Sequence, residues 1–190
     1  RGLGDVYKRQ VPYSCYSHIW SDEYADDVQP AVCCNCGFVS VELLVNSFFA
    51  GPMKGYRRAI MQLEREMNPD FVGYDAVKTL SGTDAKVLLI YSDNDKLCCM
   101  DPHYTVLRSG LSQKKNIHFL LESGKGHNPN YTADAVKYLG EYAATVQKKT
   151  RKKELETEKQ KADFVASYDW NRMTAQDEKV WNEIFKVLAE

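Results

Sequence analysis

Two apolar segments, each followed by a polar loop, place the strongest constraint on how this chain can fold. Lys86–Tyr91 (KVLLIY) leads into a loop that contains Asp95, and Asn116–Leu121 (NIHFLL) leads into a loop that contains His127. Strands that are apolar on both faces are typical of parallel sheets covered by helices. The chemistry of such sheets gathers beyond the carboxyl ends of the strands. We therefore predict an α/β fold with parallel strands and flanking helices, in which Asp95 and His127 lie at neighbouring strand ends.

The order of these two residues along the chain also indicates a chemistry. An acid followed by a histidine is the second half of a catalytic triad in the chain order Ser, Asp, His. In a triad the histidine takes a proton from the nucleophile and returns it to the leaving group. The carboxylate fixes the tautomer of the imidazole and stabilises the imidazolium. The sequence thus predicts Asp95 as the acid and His127 as the general base.

Neighbouring residues leave alternatives open. Asp93 lies closer to the strand end and is an alternative acid, although capping a turn is its simpler role. Asp101 is a third acid, close to the next helix. A lone histidine in such a loop is usually an ordinary surface residue. A catalytic role for His127 is favoured because an acidic loop, which contains Asp95, follows the preceding strand. Gly124 and Gly126 are expected to let the histidine loop approach closely. The other histidines, which we expect to be structural, are His18, His103 and His118.

Hydrophobic spacing and breaker residues predict the remaining elements. A helix over Tyr13–Tyr24 precedes a strand that begins at Ala31 (AVCCNCGF), and a mostly helical segment, Ser40–Ser81, separates that strand from Lys86–Tyr91. His103–Leu111 is the predicted crossover helix to the next strand. Two later helices are predicted to start at Thr caps, Thr132 and Thr174, and the second carries an apolar stripe of Val180, Trp181, Ile184, Phe185 and Leu188.

Composition and charge narrow the class of protein. The 190 residues are 44% hydrophobic and 27% charged, with a net charge of -1, which suits a soluble globular chain and gives no reason to expect nucleic acid as a partner. The basic run Lys148–Lys161 has no interleaved aromatic residues and is expected to be a solvated helix or linker. No window is apolar enough for a membrane span.

The six cysteines do not form the pattern of a disulfide scaffold, because four of them are adjacent pairs. The run Cys33–Cys36 also lacks the spacing of a zinc site. It lies in an apolar segment, where free cysteine behaves as a small hydrophobic residue. We therefore predict that these cysteines pack in the core, that the chain has no metal site, and that it belongs in a reducing, cytoplasmic compartment.

The chain contains no G-x-S-x-G turn upstream of Asp95 that could supply a nucleophile. Its first ten residues, Arg1–Gln10, contain DVYKRQ, which an in-frame translation of a sequencing-library adapter would produce. We interpret them as an adapter remnant rather than as a natural basic terminus. On this interpretation the native sequence starts near Val11, and the chain is the C-terminal part of a longer protein.

These residues resemble the α/β-hydrolase superfamily over nearly all of Val11–Val146. LLIYSDND, which ends at Asp95, is similar to the seventh strand and acid turn of that family, with Ser92 in place of a glycine, and SGKGHNP is similar to its histidine loop around His127. The resemblance implies a C-terminal part of the hydrolase fold over residues 11–150, with a lid over about residues 40–81. Residues 151–190 would form a charged linker and a helical extension. The nucleophile elbow would lie just before Val11.

The resemblance implies a lidded serine hydrolase of bacterial type that acts on a small ester, thioester or amide without a cofactor. The nucleophile would be Ser, Asp or Cys, with serine the commonest choice. Lid residues that would line the acyl pocket, or else pack the lid onto the core, are Phe48, Phe49, Met53 and Tyr56. A non-catalytic binding or assembly role is the alternative. A nucleotide-binding module fits less well, because no Gly-rich phosphate loop follows a strand. The C-terminal helix could support a homo-oligomer.

Overall fold

A computed structural model describes residues 31–189 of the chain. The segment Arg1–Gln10 and the predicted helix Tyr13–Tyr24 lie outside the described residues. The described residues divide into two compact units, one formed by residues 31–129 together with residues 182–189, and the other by Asn130–Trp181.

The first unit contains a three-stranded sheet with the order β1-β2-β3. The strands are β1 (Ala31–Asn35), β2 (Lys86–Ser92) and β3 (Ile117–Glu122), and both pairings are parallel. The central strand β2 is buried along almost its whole length because it is apolar on both faces. The predicted α/β class and parallel sheet are therefore confirmed.

The segment between β1 and β2 is helical, as its spacing predicts. It contains α1 (Val41–Phe48), a 3-10 turn (Gly51–Gly55), α2 (Tyr56–Met67), α3 (Pro69–Val72) and α4 (Ala76–Ser81). Ser40 caps α1 and Asp75 caps α4, each by accepting a backbone hydrogen bond. Ser40 and Asp75 also form an isolated antiparallel bridge. The bridge ties the beginning of this helical insertion to its last helix.

The crossover from β2 to β3 differs in detail from the single helix predicted over His103–Leu111. It consists of a π-helical turn, Met100–Thr105, followed by α5 (Val106–Gly110). Pro102 lies within the first turn, where its missing N–H is tolerated because the N–H groups of a first turn have no intrahelical acceptor.

The core of the first unit forms around β2. It contains Val87, Leu89 and Tyr91 from that strand, with Leu107 and Leu111 from the crossover. Three buried cysteines, Cys34, Cys36 and Cys98, belong to the same cluster, which confirms core packing for two residues of the Cys33–Cys36 run. None of the described cysteines forms a disulfide bond.

The second unit contains α6 (Ala133–Arg151), α7 (Glu158–Ala166) and α8 (Trp170–Met173). Thr132 caps α6 as predicted, with its hydroxyl accepting from the Ala135 N–H at 3.1 Å. Aromatic side chains from the three helices pack together in this unit: Tyr138, Tyr142, Phe164, Tyr168 and Trp170. This packing groups α6 with the helices that follow it, so the unit begins earlier in the chain than the predicted boundary at residue 150.

The last helix, α9 (Glu178–Ala189), begins later than predicted. Thr174 does not cap it; this residue ends α8, and its hydroxyl donates to the Trp170 carbonyl at 2.8 Å. Asp177 directly precedes α9 and accepts the Lys179 N–H at 3.0 Å. Of the predicted stripe, Val180 and Ile184 are buried, whereas Phe185 is 61% exposed. None of the helices in residues 31–189 has both the length and the apolar character needed to cross a membrane.

Candidate active site

The loops after β2 and β3 bring Asp95 and His127 into direct contact. The Nδ1 atom of His127 lies 2.8 Å from Oδ2 of Asp95. The carboxylate side chain is fully buried, while the imidazole is 27% exposed. Because the two strands are parallel neighbours, their ends lie side by side and the following loops can meet.

The Asp95 carboxylate is held by several hydrogen bonds. Its Oδ1 atom accepts from the backbone N–H of Leu97 at 2.8 Å and from that of Cys98 at 3.2 Å. Burial acts to raise the pKa of Asp95, but the hydrogen bonds from His127 and Leu97 outweigh it, and the pKa lies below the usual aspartate value. The carboxylate is therefore ionised at neutral pH and can only accept. In the neutral imidazole, Nδ1 of His127 therefore carries the proton and Nε2 keeps its lone pair.

Three residues of the acid loop fix the course of the histidine loop. The Ser92 hydroxyl accepts the Lys125 N–H at 3.0 Å and donates to Oδ1 of Asn94 at 2.9 Å. Asn94 Oδ1 in turn accepts the Gly126 N–H at 2.7 Å. Asp93 accepts from the Ser123 hydroxyl at 2.7 Å and from the Gly124 N–H at 2.8 Å, which lowers the pKa of its carboxyl. These bonds align the two loops just before the contact between Asp95 and His127.

This arrangement distinguishes the two acids that the sequence left open. Asp93 is exposed and binds the backbone and hydroxyl of the histidine loop, whereas Asp95 is buried and binds the imidazole itself. Asp101, the third acid, lies in the π-helical turn and is exposed.

Gly124 and Gly126 serve the loop through their backbone conformation. Their φ angles are 73° and 57°, in the left-handed region that glycine adopts without strain. A Cβ added at either position would meet no atom within 4 Å. The expectation that these glycines allow a close approach is therefore wrong: the turn itself requires them.

Cys36 is a third residue at this edge of the sheet. It follows β1, has a φ of 48° and is 2% exposed, and its thiol is hydrogen-bonded to Asp95. Burial, and then the Asp95 charge, raise the pKa of the Cys36 thiol far above its usual range. Sequence reasoning assigned this cysteine to core packing alone. The only sequence signal was that it directly follows an apolar strand, as the loops of Asp95 and His127 do.

His103, which the sequence predicts to be structural, is fully buried in the π-helical turn. Its Nδ1 atom accepts the Val39 N–H at 3.2 Å, so the ring is neutral and Nε2 carries the proton. Nε2 has no hydrogen-bond partner among the described residues. Burial lowers the pKa of His103 to about 4, although the Asp95 charge acts in the opposite direction.

The four predicted lining residues of the lid are mostly exposed. Phe48 is 46%, Met53 47% and Tyr56 61% exposed, and Phe49 packs on the small cluster around Val41 and Val45. Phe49 thus packs within the helical insertion. This resembles the alternative role stated for these residues, which is to pack the lid onto the core. Among the described residues, the hydrogen-bond partners of Asp95 and His127 do not include any of the four.

Comparison with known proteins gives no relative for this chain: no family model, no curated protein and no solved structure matches it. The function is therefore argued from the residues of the site.

Proposed function

We propose that Asp95 and His127 are the acid and the general base of a hydrolase that acts on an ester, thioester or amide through a Ser-His-Asp triad. The contact that carries this proposal is the hydrogen bond of 2.8 Å between His127 Nδ1 and the buried, ionised Asp95. It is the contact that a triad requires between its acid and its base.

The protonation state of the pair supports the proposed role. With Nδ1 donating to Asp95, Nε2 of His127 is free to accept a proton from a nucleophile. The imidazolium formed in this step would lie beside the Asp95 carboxylate, which stabilises its charge. The imidazole is also the partly exposed member of the pair, and a general base has to reach its substrate.

The nucleophile belongs to the proposal as well. We place it on a strand-to-helix turn upstream of Val11, as the resemblance to α/β hydrolases implies, with serine as its side chain. The helical insertion between β1 and β2 would be the lid, and a small acyl compound the substrate.

The test uses the complete reading frame of the source gene. The gene is sequenced upstream of Val11, and the protein that it encodes is assayed for labelling by a fluorophosphonate probe and for hydrolysis of an aryl ester. We expect labelling of one serine, and we expect Asp95→Asn or His127→Ala to lower kcat by about 10⁴-fold. Asp101→Asn is the control, because it removes an exposed carboxylate in the π-helical turn that holds neither the imidazole nor its loop.

A complete protein that neither labels nor hydrolyses any ester, thioester or amide offered would contradict the proposal. The same result would favour a binding or assembly role for the fold. If the Asp95→Asn variant were as active as the parent, only the role of Asp95 as the acid would be contradicted, and the rest of the proposal would stand.

A further inference from the structure

Three side chains with different metal-binding chemistry come from the ends of three neighbouring strands. Cys36 follows β1, Asp95 follows β2 and His127 follows β3. One sulfur, one carboxylate oxygen and one imidazole nitrogen from these residues lie within 4.8 Å of one another. We propose that this Cys36–Asp95–His127 cluster binds a thiophilic divalent cation, with zinc as the preferred ion and a water molecule as the fourth ligand.

The distances are close to those that a cation would impose. Zinc bonds of about 2.3 Å to sulfur and about 2.0–2.2 Å to nitrogen or oxygen place the ligand atoms of a tetrahedral site roughly 3.4–3.6 Å apart. The hydrogen bond of 2.8 Å between His127 and Asp95 would lengthen, and the sulfur would move inward. His127 can make this adjustment because its imidazole is only partly covered, with 27% of the side chain exposed.

The charges of the cluster also match a dication. Asp95 supplies one negative charge, and cation binding makes the Cys36 thiol a second anion: its S–H bond breaks, the proton leaves to solvent, and a sulfur–metal bond forms. Two anions and one dication sum to zero, which a buried site favours. If His127 binds through Nδ1, the proton on that nitrogen moves to Nε2.

The donor set selects the kind of ion. Thiolate and imidazole favour zinc and other borderline-soft cations, whereas magnesium and calcium prefer sites built from oxygen ligands alone. Cys36 and Asp95 are buried, and the imidazole of His127 is partly exposed, so we place the water ligand on the imidazole side.

This inference does not rest on the proposed function, although both involve Asp95 and His127. A cation at the cluster would occupy the His127 nitrogen that donates to Asp95, so cation binding and proton transfer by this pair exclude each other. Zinc binding can be tested on the 190-residue chain itself, without any assay of turnover.

The first measurement is a titration of the purified chain with Co²⁺, which gives a thiolate-to-metal charge-transfer absorption in the near ultraviolet when it binds a cysteine. The second is competition for Zn²⁺ against a chromophoric chelator. We expect a single site with the cobalt–thiolate band, and an unchanged zinc affinity in excess Mg²⁺. Cys36→Ser should remove the band and weaken zinc binding by about 100-fold, since a lost ligand costs at least as much as a lost supporting residue.

The chain offers matched controls among its other cysteines. Cys33→Ser alters the same strand end, Cys99→Ser alters the loop after Asp95, and Cys15→Ser alters a thiol outside the described residues. All three variants should keep the band and the affinity. Asp95→Asn should weaken zinc binding, whereas Asp101→Asn, which alters an exposed acid in the π-helical turn, should not.

The absence of a cobalt–thiolate band in the parent chain would overturn the inference. A band and a zinc affinity that survive in Cys36→Ser would overturn it as well. If circular dichroism shows that Cys36→Ser does not fold, His127→Ala decides the question, because the side chain of His127 is partly exposed and its loss is better tolerated than that of a buried residue. Zinc affinity equal to that of the parent in His127→Ala would then exclude the site. Displacement of zinc by Mg²⁺ would exclude a thiophilic site.

Discussion

The imidazole of His127 and the carboxylate of Asp95 are joined by one hydrogen bond of 2.8 Å, while the other carboxylate oxygen is held by two backbone N–H groups. The backbone donors come from Leu97 and Cys98, just after the acid in the same loop. Asp95 is therefore fixed by its own loop, and it can orient an imidazole that belongs to another loop. The geometry sets the tautomer of His127 without any contribution from a substrate.

This relationship predicts the effect of Asp95→Asn on the histidine. An amide that presents its N–H₂ to Nδ1 leaves that nitrogen as an acceptor, so the proton of the neutral ring moves to Nε2. We expect ¹⁵N NMR of the imidazole to show Nδ1–H in the parent chain and mainly Nε2–H in Asp95→Asn. Asp93→Asn should keep the Nδ1–H form, and an unchanged tautomer in Asp95→Asn would show that the carboxylate does not control the ring.

Ser92 provides a second prediction, because it is fully buried and joins the two loops. Ser92→Ala removes the acceptor of the Lys125 N–H and the donor to Asn94. Losing hydrogen bonds of a buried hydroxyl costs about 1–3 kcal/mol, and we expect the free energy of unfolding in urea to fall by that amount.

The control for Ser92 is Ser123→Ala, which removes a hydrogen bond to Asp93 at an exposed position. It should change the free energy of unfolding by less than about 0.5 kcal/mol. If Ser92→Ala and Ser123→Ala were equally stable, the buried bonds would not be what aligns the loops.

The pairing of Asp95 with His127 could be anticipated because it depends on features that a sequence displays. Two uninterrupted apolar runs indicate parallel strands, and consecutive parallel strands place their following loops together. The bonds of Ser92 and Asn94 could not be anticipated, because they depend on which way each loop backbone turns. An apolar run that ends at Ser92 predicts only where the loop begins, and the structure shows that the Ser92 hydroxyl has two partners.

Cys36 and Thr174 show two further limits of the sequence. Cys36 continues an apolar run, so hydrophobic spacing alone predicts only that it packs in the core. In the structure the strand ends at Asn35, and the chain turns at Cys36 through a positive φ. Thr174 and Asp177 are both good N-cap residues ahead of the same apolar stripe. The choice between them depends on the helix Trp170–Met173. This helix is too short to be recognised from hydrophobic spacing.

His103 predicts a dependence of stability on pH. Its pKa is lowered to about 4 in the folded chain by burial, against an ordinary value of 6.5. Between these values the unfolded state binds the proton and the folded state does not, so stability rises with pH. The contribution is fully present above pH 6.5 and is lost as the pH falls toward 4; it amounts to about 3 kcal/mol.

The measurement is urea unfolding of the parent chain and of His103→Gln from pH 7 to pH 4. Glutamine can accept the Val39 N–H but does not titrate, so the variant should lack the part of the slope that comes from the histidine. The other titrating groups, Asp95 among them, contribute to both proteins and cancel in the difference. Identical pH slopes for the two proteins would show that His103 is not held neutral by the fold.

Gly110 predicts a packing constraint on the crossover helix. A Cβ at Gly110 would lie 2.6 Å from Cγ1 of Val77, a distance at which one of the two must move. Val77 is β-branched and packs against the core, so it cannot rotate away cheaply. We expect Gly110→Ala to lower the free energy of unfolding by about 1–2 kcal/mol, although alanine is the better helix former.

Two variants make this last prediction decisive. Gly82 lies at the end of the helix Ala76–Ser81, and a Cβ there would meet nothing closer than the Thr79 carbonyl oxygen at 3.7 Å. Gly82→Ala should therefore leave the free energy of unfolding unchanged or slightly raised. In a Val77→Ala background the clash is absent, and Gly110→Ala should then be neutral or stabilising. The double-mutant cycle should therefore give a coupling energy of about 1 kcal/mol or more between the two positions. A coupling energy near zero would mean that Val77 and Gly110 do not pack against each other.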